Sequence, residues 1–208
     1  MDIESIKAYI YCDADKDFSL KKLRNGIHAL TVIFAMVCAL GIFYRAYSSI
    51  GLFMVLFISY RSWFSIWTKK CFKNTFIHRL FLHGSCLAFC SLFFALSSCV
   101  FIDISGNYHL LSKLFLGFFI CIVLFYLNIV FRIKKGAFFK AKLKPANWEK
   151  YYIPLAVAGF LGAKLVLSGA SQDTAVDIFI LLTSLLSVLC ISGTQGLFKC
   201  ILIKIYNV

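Results

Sequence analysis

The stretch RIKKGAFFKAKLKPANWEKYY, residues 132–152, carries seven Lys/Arg against one acid, Glu149, and lies between two strongly apolar blocks. In a chain that crosses lipid, basic residues collect in the loops left on the cytoplasmic side. The stretch therefore reads as a cytoplasmic loop, and it sets the direction of the apolar blocks on either side.

Composition agrees with that setting. Of 208 residues, 61% are hydrophobic and 17% aromatic, and mean hydropathy is +0.86, against roughly 45–50% apolar for soluble globular domains. A formal charge of +13 would point to nucleic acid or an acidic partner in a soluble chain. In a membrane protein the positions of the charges come first.

Six apolar blocks, 28–46, 49–67, 80–103, 109–131, 152–170 and 174–192, each approach the ~20 residues that a ~30 Å hydrocarbon core requires. The gaps within successive pairs are very short, whereas 68–79 and 132–151 are long and basic. This rhythm predicts an all-α integral membrane protein with six transmembrane helices in three antiparallel hairpins. Nineteen of the 22 Lys/Arg fall on the side of the N-terminus, the two long loops and the tail, leaving Arg45, Lys113 and Lys164 on the other. Both termini are therefore expected in the cytoplasm. Trp63, Trp67, Trp148, Tyr151 and Tyr152 fall at the same interface, where amphipathic rings prefer to sit.

The chain divides into a polar cytoplasmic segment, 1–27, a transmembrane domain, 28–192, and a tail, 193–208. Ile3, Ile6 and Ile10 mark a short amphipathic helix that lies on the membrane or on a partner, and no cleavable leader is read. Asp13, Asp15 and Asp17 imitate a calcium loop, but Phe18 and Arg24 occupy the positions that need Gly and Glu. Gly193-Thr194-Gln195-Gly196 reads as a helix break. Phe198, Ile201, Leu202 and Ile205 then predict a short interfacial C-terminal helix.

Charges inside the spans are the first functional candidates. Lys164 lies ~18 Å into the fifth block from Tyr152, and Asp177 lies about as far beyond the following turn. The two either pair, or Lys164 snorkels, or both line a pathway. Arg61, roughly 10 Å from the cytoplasmic end of the second block, either snorkels or joins such a pathway. Arg45, Asp103 and Lys113 at the outer span ends suggest a salt-bridge cluster.

Ala158/Gly162 and Gly159/Ala163 form overlaid small-xxx-small patterns for close helix packing, within the chain or with another copy. His83, Cys86 and Cys90 share a helical face, but a metal needs ligands from a second stripe, and packing explains them without one. The nine cysteines fall mainly in spans or on the cytoplasmic side, so no disulfide is expected. Arg132, Lys134, Lys135, Lys140, Lys142 and Lys144 suit anionic lipid, at about 1 kcal/mol per basic residue, or an acidic protein partner. Direct nucleic-acid binding, a cofactor and a catalytic centre are not expected, since no nucleophile elbow, metal-protease or phosphate-loop motif is present.

Two functions fit. One is a non-enzymatic, oligomeric membrane sensor or anchor that docks a cytosolic partner on its basic face. The alternative is a small channel or transporter lined by Lys164, Asp177, Arg61, Thr183, Ser184 and Ser187. Sparse polar lining in the first four spans favours the anchor. The small size, multi-span layout and basic cytosolic loops resemble the membrane subunits of bacterial antiphage systems of the Kiwa type. That resemblance implies a bacterial inner-membrane location and a cytosolic partner that acts on DNA, and it carries over no site residue.

Overall fold

The protein, seen in a computed structural model, is described at residues 2–12, 19–138 and 172–207, and every element among them is helical. These are α1 (Ile3–Tyr11), α2 (Leu20–Phe43), α3 (Tyr47–Ile66) with a π-helical extension (Trp67–Cys71), α4 (Phe76–Ser105), α5 (His109–Lys134), α6 (Gln172–Ile191), a 3-10 turn (Ser192–Thr194) and α7 (Gln195–Tyr206). Five stretches are long and apolar enough to cross a membrane: Leu20–Phe43, Tyr47–Cys71, Phe76–Ser105, His109–Lys134 and Thr174–Tyr206. The block expected at 152–170 lies outside the described residues.

Local chemistry explains the helix ends. Ser19 accepts the Lys22 N–H at 3.3 Å and Thr75 accepts the His78 N–H at 3.4 Å, each satisfying an amide that has no partner within its helix. The Ser19 cap starts α2 well before residue 28, where the apolar block begins. Lys21, Lys22 and Arg24 belong to its first turns, since solvated charges on a helix end cost little.

At the other end of α2 the chain reverses through Arg45, whose φ is 63°. Ala46 N–H donates to Gly41 O at 2.8 Å across the turn, the closure typical of a left-handed helix stop. A non-glycine residue in this region costs about 1 kcal/mol or more. Arg45→Gly is therefore expected to raise the thermal unfolding midpoint by an amount equivalent to about 1 kcal/mol. A lowered midpoint would show that the arginine side chain outweighs the backbone strain.

α4 is the central helix. Within the most apolar window of each helix, 56% of α4 is buried against 6% of α5. Its main partner is the antiparallel α6–α7 rod. Phe101 stacks on Phe179 at 5.2 Å, Ser98 Oγ meets Thr183 Oγ1 at 2.7 Å, and Cys200 Sγ contacts Ile77 O at 3.7 Å. Between these contacts Ser91 and Ser187 each donate to the other's carbonyl at 2.8 Å. Gly84, Ala88, Ser91, Ala95 and Ser98 recur at alternating steps of four and three, a knobs-into-holes seam of small residues.

α4 and α5 are joined by a short turn, and α4 packs on α6 far more than on α5. After the Ser192–Thr194 turn the tail forms its own short helix, α7, which runs along the start of α4. Gly196, read as part of a break, serves close approach, since a Cβ there would stand 2.6 Å from Leu80 O. Interhelical hydrogen bonds within membranes average ~0.6 kcal/mol and reach ~1.7. Ser91→Ala and Ser187→Ala are each expected to destabilise the bundle within that range in a denaturant titration. No loss from either would deny the pair an energetic role.

α2 and α3 cover another side of α4. Phe34 stacks on Phe57 at 4.2 Å, Phe53 meets the fully buried Phe93 at 5.0 Å, and Tyr60 stacks on Phe89 at 3.7 Å. A second core lies at one end of the bundle, formed by Ile6, Tyr9, Ile10, Ile129, Ile133 and Leu202. α1, left open between membrane and partner by its sequence, is thus docked on its own chain.

Candidate functional site

The second core organises the cationic end. The Tyr9 ring lies 4.8 Å from Phe138 and 6.2 Å from Phe198, and Tyr11 stacks on Phe76 at 5.5 Å. These contacts tie α1 to the end of α5, to α7 and to the start of α4. Around them Lys7, Arg132, Lys134, Lys135 and Lys204 are exposed. Two are braced over rings, Arg132 on Phe138 at 5.3 Å and Lys135 on Phe131 at 4.3 Å, an arrangement worth about 0.5–1 kcal/mol at exposed sites. Lys140, Lys142 and Lys144, expected to extend this surface, lie outside the described residues.

Lys199 is the residue that sequence reasoning missed. It is 1% exposed, and its Nζ lies 5.0 Å from the Tyr9 ring centre and 3.4 Å from Cys12 Sγ. A lysine on a surface helix would lie in water; this one joins the two ends of the chain. The available signal was its spacing of three from both Gly196 and Leu202, which puts it on the packed face of α7.

No family model, curated protein or solved structure matches the chain.

Arg61 and Asp177 are not brought together. Arg61 donates to Thr31 Oγ1 in a groove of about 540 Å³ between α2 and α3. Asp177 is exposed on α6, two residues from Phe179, at the end of α4 marked by Phe101. Tyr60, beside Arg61, stacks instead on Phe89, which places the two charges roughly 18 Å or more apart along α4. Lys164, with Ala158, Gly159, Gly162 and Ala163, lies outside the described residues.

Thr183, Ser184 and Ser187, candidates for a pathway lining, are engaged in pairing α6 with α4: Ser98 Oγ meets Thr183 Oγ1 at 2.7 Å and Ser184 Oγ at 3.2 Å, and Ser187 bonds Ser91. Asp103 is met by hydroxyls rather than by Arg45 or Lys113. Ser49 donates to it at 2.7 Å, Tyr108 at 2.8 Å and Ser48 at 3.3 Å. The bond to Asp103, with that carboxylate's charge, pushes the Tyr108 hydroxyl above its ordinary pKa. The His83, Cys86 and Cys90 stripe is divided: Cys86 is buried and accepts the Tyr60 O–H at 3.1 Å, whereas His83 is exposed.

Proposed function

We propose that the chain is an oligomeric, multi-pass anchor or sensor of the bacterial inner membrane that docks a cytosolic protein partner on the cationic end of its bundle. The observation that carries this reading is the second core, which fastens α1, the end of α5 and α7 together. Cations held on a buried scaffold lose little conformational freedom on binding. Their uniform sign also accelerates encounter with an acidic surface.

The positive-inside rule supports placing this end in the cytoplasm, with α2–α3, α4–α5 and the third pair crossing and returning. The resemblance in layout to Kiwa-type membrane subunits supports antiphage defence as the setting and a DNA-acting protein as the partner. The channel reading is the weaker one. Its proposed α6 hydroxyls are occupied in helix pairing, and Arg61 and Asp177 stand apart.

The test combines topology reporters with charge reversal. A reporter at Gly136 is expected to be active only in the cytoplasm, and a soluble partner recovered with the intact chain is expected to be lost from Arg132→Glu/Lys134→Glu/Lys135→Glu. An exported reporter, or equal recovery with the reversed chain, would overturn the proposal.

A further inference from the structure

We infer that the groove between α2 and α3 binds one anionic phospholipid, with the Arg61 guanidinium holding the headgroup phosphate. This is a surface distinct from the proposed docking face, and the inference needs only that the helices lie in a membrane.

The placement of Arg61 carries the argument. The helical run of α3 continues to Cys71, so Arg61 lies about 15 Å from its end, deeper than the block 49–67 had implied. Its partner Thr31 falls midway along α2. The guanidinium has five N–H donors and, among the described residues, a single hydrogen-bond acceptor, the Thr31 hydroxyl. That hydroxyl in turn donates to Ile27 O at 2.8 Å. Thr31 thus orients the cation without neutralising it.

A cation at this depth calls for an anion, and the groove suits one attached to a lipid. Phe34, Phe57, Ile58 and Ile66 give it apolar walls, while Ser62 and Ser65 line it on the side of Arg61 that leads toward Cys71. An acyl chain can follow the walls, and the hydroxyls accompany a headgroup from the interface to the arginine. The planar guanidinium fork matches two phosphate oxygens at once, which lysine does not. The leaflet concerned is the one at the cationic end, where basic loops attract anionic lipid.

Native mass spectrometry of the purified full chain, titrated with phosphatidylglycerol, phosphatidylcholine or inorganic phosphate, tests the assignment. The expected result is one phosphatidylglycerol retained per chain, in preference to phosphatidylcholine and without displacement by phosphate. Arg61→Leu is expected to weaken retention about tenfold or more, and Arg61→Lys by less, as loss of a charge-assisted pair predicts. Arg61→Leu removes an intramembrane charge, so its helical content and unfolding midpoint are expected to hold, separating lost binding from lost folding.

Equal retention by Arg61→Leu overturns the proposal. So does equal retention of phosphatidylcholine, or displacement by inorganic phosphate, which would make this a general lipid groove or an aqueous anion site. A lipid-independent dimer that Arg61→Leu dissociates would assign the groove to a second copy instead.

Discussion

Gly84→Ala lowers the stability of the helical bundle by about 2 kcal/mol, and Gly196→Ala by a similar amount, as expected for overpacking a close helix contact. A Cβ on Gly84 would stand 2.5 Å from Leu197 N and 2.9 Å from Gly196 C, and one on Gly196 would stand 2.6 Å from Leu80 O. These neighbours are backbone, so no side chain can rotate away and the helices themselves must part. Parting them also stretches the Ser91–Ser187 pair further along the seam.

Gly51→Ala and Gly117→Ala are the controls, since a Cβ at either meets nothing within 4 Å. Replacing glycine inside an exposed helix is expected to stabilise it by up to about 0.8–1.0 kcal/mol. The double substitution at Gly84 and Gly196 is expected to cost less than the two singles combined, because the first has already separated the rods. Reversible unfolding in mixed micelles reads all five variants. If Gly84→Ala behaves like Gly117→Ala, α4 and α7 do not approach as described.

Tyr9→Ala releases α1 from the bundle, at a cost of about 3–5 kcal/mol to its docking, the range for truncating a buried aromatic side chain. Tyr9 is 1% exposed between Phe138, Phe198 and the Lys199 ammonium. A helix of nine residues does not persist alone in water, so undocking and melting coincide. Hydrogen exchange of the amides at 3–11 is expected to accelerate sharply while those of α4 keep their protection. Tyr9→Phe, which keeps the ring, is expected to retain most of the protection. Undisturbed α1 amides in Tyr9→Ala would refute the docked arrangement, and with it the rigid scaffold under the cationic surface.

The two effects differ in origin, and that difference governs what could be read from the chain alone. At the cationic end, apolar burial is driven by water, and the spacing of Ile3, Ile6 and Ile10 announced a one-sided helix, whose buried face is Ile6, Tyr9 and Ile10 while Ile3 stays exposed. Inside the spans an apolar face is equally at home against lipid or protein, so Phe53 and Phe93 look no different in sequence from the exposed Phe119 and Phe131. The informative residues were the small and hydroxylated ones. Gly84, Ala88, Ser91, Ala95 and Ser98 form a regular series along α4, while Ala158, Gly159, Gly162 and Ala163 lie outside the described residues.

Lys199 and Arg61 show the same division. Charge is visible in a sequence, but its environment depends on which helices meet. Lys199, one of the cations of the tail, is buried, while Arg61, expected roughly 10 Å from the end of its apolar block, stands about 15 Å from the end of its helical run.

The sequence by itself determined the class: helical, with several segments long and apolar enough to cross a membrane and cations gathered toward particular segment ends. It does so because every amide in hydrocarbon must be bonded within its own segment, which leaves long apolar helices as the available form. Only the tertiary structure decided that α4 pairs with the α6–α7 rod, that α1 and α7 share a core, and that Arg61 faces a groove. Those choices rest on backbone approach and a few hydrogen bonds between residues about a hundred positions apart, which hydropathy does not encode.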